Sequence, residues 1–245
     1  MKEYKPVLYI GANSDVAKSS AEFYAKKGHT IILAARNINR IQAFRDYIEK
    51  TYKVKCITYE LDILDFNSFD LFFEALNVKI EILICCVGLM KDDEFNLSVK
   101  EKNLVINTNY VGPSLFIDSS IMYFQKNCIK GTIIGISSVA GDRGRSKNYL
   151  YGAAKSAFSE YLSGVRQKFS NTEIHIITIK PGFIDTKMLT NKKGSRILVS
   201  SPYDIAKLIF IAYKSKKNVV YPFKWRIIMN IVILIPEYIF KKLSF

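Results

Sequence analysis

The chain is predicted to fold as a doubly wound parallel α/β sheet of about seven strands with helices on both faces, and two observations predict it. Short β-branched runs alternate with helix-length amphipathic segments along the whole sequence, which is the order of a parallel sheet covered by helices. Apolar runs such as Ile80–Cys86 are nearly continuous, as strands buried on both faces require. Strands are expected at Val7–Ile10, Thr30–Ala34, Lys55–Tyr59, Glu81–Cys86, Thr132–Ser137, Glu173–Ile179 and Val219–Tyr221. Helices are expected at Val16–Lys27, Ile38–Tyr52, Phe66–Leu76, Leu97–Lys126 (broken), Tyr149–Ser170 and Pro202–Lys214. The 245 residues suit one such unit, with no repeat or low-complexity linker to mark a second. Any ligand is expected at the carboxyl ends of the strands.

Composition narrows the class. Hydrophobic residues at 49% and charged residues at 24% exclude a disordered chain. The net charge of +14 suits an anionic partner, whether a phosphorylated cofactor, an anionic membrane surface or nucleic acid. Half of that charge, +7, lies between Arg196 and the end, where nine basic residues face two acidic ones. Cys56, Cys85, Cys86 and Cys128 have no metal-ligand spacing and make no disulfide framework, so a reducing cytoplasm is expected and no metal. The start, Met1 to Pro6, does not read as a signal peptide, and no stretch reaches the roughly 20 apolar residues that span a bilayer.

The first strand–helix turn reads Ile10-Gly11-Ala12-Asn13-Ser14-Asp15-Val16-Ala17. A dinucleotide fold needs this turn small, so that backbone and helix N-terminus approach the pyrophosphate. Gly11 stands, while Asp15 and Ala17 occupy the later glycine positions, and Asp15 either caps the helix or faces the ligand. After the second strand no acid waits for a ribose 2′-hydroxyl, and Arg36 follows Ala35 directly. A guanidinium there suits a 2′-phosphate and therefore NADP(H). Asp62, closing the third strand, is placed either to accept from the adenine amino group or to cap the next helix.

The most specific constellation is Ser137-Ser138-Val139-Ala140-Gly141 followed by Tyr151-Gly152-Ala153-Ala154-Lys155. Tyr151 and Lys155 are four apart on an expected helix and share a face. Ser138 lies thirteen residues before Tyr151 at the end of an expected buried strand, where hydroxyl and phenol can converge on one carbonyl. A free phenol, with pKa about 10, is a poor shuttle at neutral pH. A lysine cation beside it would lower that value. His29 and His175 have no ligand-spaced partner and are read as structural.

With these residues the chain resembles the short-chain dehydrogenase/reductase family, over nearly its whole length. Asn109 in Asn109-Tyr110-Val111-Gly112 and Pro181-Gly182-Phe183-Ile184-Asp185-Thr186 are further matches. The family's Asn-Asn-Ala-Gly appears here as Cys85-Cys86-Val87-Gly88, which keeps only Gly88. The resemblance implies a Rossmann-like fold, oxidoreductase activity on a carbonyl or alcohol, and Asn109, Ser138, Tyr151 and Lys155 as catalytic residues. Tyr151 would be the proton donor, Ser138 would bind the substrate oxygen, Lys155 would bind the nicotinamide ribose, and Asn109 would hold water leading from Lys155 to solvent. Ile184 and Thr186, after Pro181 and Gly182, would anchor the carboxamide. Residues 1–222 would form the NADP(H)-binding reductase domain and residues 223–245 a basic, apolar helical extension of it. A homo-oligomer, dimer or tetramer, is also expected.

Several stretches are similar to a narrower group, the bacterial reductases of polyprenyl-phosphate-linked 2-keto-pentose such as decaprenylphosphoryl-2-keto-ribose. These are Gly11–Asp15, Gly88–Asp92, Ser137–Arg143 and Arg226–Phe245. The segment Phe183–Arg196, which closes over substrate in the family, carries Lys187, Lys192, Lys193 and Arg196, suited to a phosphodiester. The tail interleaves Trp225, Ile227, Ile231, Leu234, Tyr238 and Phe240 with Lys224, Arg226, Lys241 and Lys242. It reads either as an interfacial helix on the inner face of a membrane or as a helix packed on its own domain or a second subunit. Open alternatives are reduction of a 3-oxoacyl thioester, steroid or retinoid, and a non-enzymatic NADPH-binding protein. No nucleic-acid module is present, and no nucleic-acid partner is expected.

Overall fold

The computed structural model describes residues 4–92, 94–186 and 196–243. Its sheet consists of β1 (Val7–Ile10), β2 (Ile31–Ala35), β3 (Cys56–Glu60), β4 (Ile82–Cys85), β5 (Thr132–Ile136), β6 (His175–Ile179) and β7 (Val219–Val220). All neighbouring pairs are parallel, in the order β3-β2-β1-β4-β5-β6-β7. The helices are α1 (Asp15–Ala25), α2 (Asn39–Tyr52), α3 (Phe69–Glu74), α4 (Val99–Ile106), α5 (Gly112–Lys126), α6 (Tyr149–Lys168), α7 (Pro202–Lys214), α8 (Phe223–Leu234) and α9 (Glu237–Phe240).

Strand alternation divides the apolar side chains between two cores. Val7, Tyr9, Ile82 and Ile84 face a layer with α1 and α7, where Ala17, Ala21, Ile205 and Ile209 are buried. Leu8, Ile10, Leu83 and Ile133 face the layer of α5 and α6, where Phe116, Phe124, Phe158 and Leu162 are buried. Each such leucine, isoleucine or phenylalanine contributes roughly 1.5–3 kcal/mol on full burial, which makes both faces of the sheet indispensable.

Observed boundaries differ from the expected ones by one or two residues, because strands stop where the ladder loses its partner. The expected helix from Leu97 to Lys126 is one run with a π-turn at Asn107–Val111 between α4 and α5. The expected Phe66–Leu76 helix begins as a 3-10 turn at Phe66–Ser68 and becomes α-helical only over α3. The order in which strands are added reverses at β1, whose neighbours are β2 and β4. The crevice at that switch lies beyond the carboxyl ends of the strands, where ligands bind in such sheets. His29 and His175 each hydrogen-bond a backbone carbonyl, of Lys5 at 2.8 Å and of Lys217 at 3.2 Å.

The tail packs by one face only. Trp225 and Met229 of α8 and Phe240 of α9 are buried. Trp225 donates from Nε1 to Leu198 O at 2.9 Å and stacks edge-on with Phe183 at 5.4 Å. A Cβ at Gly182 would run into the Trp225 indole, so glycine there is what lets α8 seat. Phe223, Ile231, Leu234 and Tyr238 on the opposite face stay exposed. Among the described residues no helix is long and apolar enough to cross a membrane.

Candidate active site

A cleft of about 900 Å³ opens along the carboxyl ends of β1, β2, β4, β5 and β6. Its first end is built by the turn before α1. Gly11 takes φ +74°, and a Cβ there would press on the backbone of Cys86 at 3.0 Å, so only glycine keeps the turn this close to the next strand. Ser14 is the N-cap and accepts from Ala17 N at 3.2 Å. Asp15 is therefore the first helical residue rather than the cap, where its charge favours the helix N-terminus. Asn13, Ser14, Asp15 and Val16 all line the cleft, as does Arg36 just past β2.

Two more cations stand with Arg36: Arg40 at the start of α2 and Lys18 on α1. Sequence reading passed over both, although Arg40 follows Arg36 by four residues and the spacing was visible. Asp62 sits in a local turn beside the cleft, between two residues that line it. Its Oδ1 accepts from Leu64 N at 3.0 Å, and the two lining neighbours are Leu61 and Ile63.

The other end is built on β4, β5 and α6. Lys155 is 2% exposed, and its Nζ donates to Val87 O and Ile136 O, both at 3.1 Å. Burial lowers its pKa to about 8. Three N–H groups and two carbonyl partners leave one donor for a ligand hydroxyl. Ser138 is buried, and its Oγ accepts from Ala140 N at 3.1 Å, which leaves its own hydrogen to donate into the cleft. Ser137, one residue earlier, is turned away: its Oγ donates to Lys155 O at 3.0 Å and meets Ser159 Oγ at 2.7 Å.

Tyr151 lines the cleft with Ser138 and Lys155. Its pKa is pushed up to about 12 by burial, and the hydrogen bond available from Ser138 lowers it only in part. This corrects the expectation that Lys155 depresses the phenol. The ammonium lies 6.0 Å from the Tyr151 ring centroid and is turned to backbone carbonyls, so desolvation wins. At neutral pH the phenol keeps its proton, as a donor must.

Asn109 lies behind the loop that follows β4. It sits in the π-turn, fully buried, and does not line the cleft. Its Nδ2 donates to Leu89 O at 2.6 Å and Val105 O at 2.8 Å, and its Oδ1 accepts from Leu89 N at 3.2 Å. The amide pins the loop after β4, with Gly88 and the Val87 carbonyl that holds Lys155. In the atypical Cys85-Cys86-Val87 run, burial raises both thiols, which makes them inert packing groups.

One positioning residue carried no sequence signal. Glu94 is 3% exposed and accepts from Leu150 N at 2.7 Å and Tyr151 N at 3.0 Å, closing the N-terminus of α6 that carries Tyr151. Pro181, Gly182, Ile184 and Thr186 line the cleft opposite α6. Pro181 O accepts from Val139 N at 3.0 Å, tying the β5 and β6 loops together. Lys187, Lys192 and Lys193 fall outside the described residues, as does the Arg196 side chain. The donor set therefore fits a phosphorylated dinucleotide: a tight glycine turn, a helix N-terminus, a cation trio and a lysine with one donor to spare.

Comparison with known proteins agrees with this geometry. The family model for short chain dehydrogenase matches residues 5–196. An NADP-dependent 3-hydroxy acid dehydrogenase of Schizosaccharomyces pombe is 28% identical over 233 residues, covering 88% of this chain and 89% of that protein. A 3-oxoacyl-[acyl-carrier-protein] reductase of Aquifex aeolicus is 27% identical over 188 residues, 75% of each chain. In fold the chain is similar to a short-chain dehydrogenase from Sphingobium yanoikuyae solved with NADPH. The TM-score is 0.81 at 19% identity, covering 95% of this chain and 97% of that one.

Proposed function

The chain belongs to the short chain dehydrogenase family, and from that premise we propose an NADPH-dependent carbonyl reductase acting on the keto group of a sugar carried by a polyprenyl phosphate. The observation that carries the reductase reading is the convergence of Ser138, Tyr151 and buried Lys155 on one cleft whose far end holds Arg36, Arg40 and Lys18. NADPH, when bound, supplies the hydride. Ser138 donates to the substrate oxygen as charge develops there. Tyr151 passes its phenolic proton to that oxygen, and Lys155 orients a cofactor hydroxyl with its remaining donor. Arg36, with Arg40 and Lys18, meets the 2′-phosphate. Asn109 and Glu94 act through the groups they hold, the first on the Lys155 loop and the second on the Tyr151 helix.

The tail supports a substrate that resides in a bilayer. The exposed face of α8 and α9 presents Phe223, Ile231, Leu234 and Tyr238, with Lys224, Arg226, Lys241 and Lys242 nearby in sequence. Its other face packs on Phe183 and Leu198, so a membrane under the tail would lie beside the cleft. The named relatives favour a second reading, a 3-oxo acid or thioester. The decisive assay follows NADPH consumption with a polyprenyl-phosphate keto sugar, a 3-oxoacyl thioester and a neutral ketone, with and without anionic vesicles. Turnover of the lipid-linked sugar, stimulated by vesicles, is the expected result. Turnover of the thioester alone would replace the substrate reading, and no consumption with any of them would remove the reductase reading.

A further inference from the structure

We propose that Arg145 is the receptor for an oxoanion, carboxylate or phosphate, carried by the keto substrate itself; this rests on the carbonyl-reductase reading and names the class of ketone that the site takes. Arg145 lies on the loop between β5 and α6 and lines the same cleft as Ser138 and Tyr151. The strand order puts this end several strands away from Arg36, so Arg145 is not part of the 2′-phosphate cluster. A guanidinium has five N–H donors. The contacts found for this one are to Met229 Sδ at 3.5 Å, a weak acceptor, and to the Trp225 ring, 6.0 Å to the centroid.

No acid around it closes an ion pair with it. Asp142, on the same loop, takes Lys180 at 2.6 Å and is 4% exposed. Glu94 closes the N-terminus of α6. Glu237 pairs with Arg143 at 2.6 Å. The other flexible cation nearby, Lys91, pairs with Glu101 at 3.7 Å. Among the described residues Arg145 has no carboxylate within ion-pair distance, and burial lowers its pKa, which the charge of Asp142 offsets only in part. A half-buried guanidinium whose nearest counter-charge, Asp142, is shared with Lys180 and lies beyond ion-pair distance is costly, and a ligand anion recovers that cost while the planar fork grips two oxygens.

Arg145 and the Ser138–Tyr151 pair line one chamber, so a single molecule can present its carbonyl to the pair and its anion to Arg145. Trp225 and Met229 hold the guanidinium from behind, which gives α8 a part in substrate choice.

The test uses the full chain saturated with NADP+, which cannot reduce a ketone, and titrates two matched pairs by calorimetry. Acetoacetate is paired with methyl acetoacetate, and dihydroxyacetone phosphate with dihydroxyacetone. The unmutated protein should bind the charged member of at least one pair roughly ten- to a hundredfold more tightly. The pair that shows the preference identifies carboxylate or phosphate. Arg145→Gln should bring the charged-to-neutral ratio close to one, and Arg145→Lys should restore part of it. Equal binding within both pairs, or a ratio that survives Arg145→Gln, would overturn the proposal. The same pairs with NADPH separate the two readings. Charge preference without NADPH consumption would leave the receptor and sink the reductase, whereas consumption with no charge preference would do the reverse.

Discussion

At one end of the cleft Arg36 and Arg40 stand exposed to water; at the other, Lys155 is 2% exposed and held between two carbonyl oxygens. The same sign of charge does different work in the two settings. An exposed guanidinium interacts in high dielectric and adds affinity in modest, salt-sensitive steps. A buried ammonium has its pKa moved and its direction fixed, so it can serve chemistry that depends on a protonation state. Losses at the chemistry end should therefore appear in turnover, and losses at the phosphate end in cofactor affinity.

A large loss confined to turnover is expected from Ser138→Ala. It removes the hydroxyl aimed into the cleft, and kcat should fall roughly a hundred- to a thousandfold, as for loss of an oxyanion donor. Cofactor affinity, read by NADPH fluorescence, should stay within twofold. A large loss of NADPH binding would show that the two ends are not separable.

The pH dependence sharpens the same point. With Lys155 lowered to about 8, the ammonium is present below that pH and lost above it. Reductive kcat/KM should hold steady through neutrality and decline as pH rises through about 8, while Tyr151, pushed up to about 12, remains protonated throughout. A profile that instead rises across pH 8 would mean that a deprotonated group does the work.

Glu94→Gln is expected to have a smaller effect. One charge-assisted acceptor is replaced by an amide that can still reach one N–H, so stability should drop by about 1 kcal/mol, as for loss of a helix cap. Turnover should fall more than ketone KM rises, because the Tyr151 end of α6 loosens. A thermal melt and a kcat-against-KM comparison would read the two effects, and a variant equal to the parent in both would end the positioning role.

Arg36→Ala is expected to act on the cofactor alone. Apparent KM for NADPH should rise about tenfold, the loss of one exposed charge-assisted bond, with little change for NADH. Equal effects on both cofactors would dissociate Arg36 from the 2′-phosphate, leaving Arg40 and Lys18 as the candidates.

Much of this contrast was legible in the sequence, and the reasons are local. Val7–Ile10 and Pro202–Lys214 are found as read, because a four-residue apolar run and a Ser201–Asp204 capping box declare themselves within one turn of chain. Ser138, Tyr151 and Lys155 form a fixed pattern on one strand end and one helix. What stayed hidden depends on distance. Glu94 meets Leu150 across 56 residues, and Arg145 meets Met229 across 84. Trp225 finds its seat only because Gly182 leaves room for an indole. The π-turn at Asn107–Val111 reads as ordinary helix by composition, so the hold of Asn109 on Leu89 could not be read from it. The Tyr151 shift was misjudged for a similar reason. Four-residue spacing puts Lys155 on the same face, but where the ammonium points is decided by Val87 and Ile136.

The central claim is that Tyr151 donates a proton to a carbonyl in a cleft that binds NADPH independently of that phenol. Tyr151→Phe should be compared with the parent in two readings on one preparation: NADPH binding by fluorescence, and NADPH consumption with the best ketone found. The account predicts unchanged NADPH affinity and a rate lowered by roughly a hundred- to ten-thousandfold. Near-full turnover by the phenylalanine variant on that ketone would contradict it.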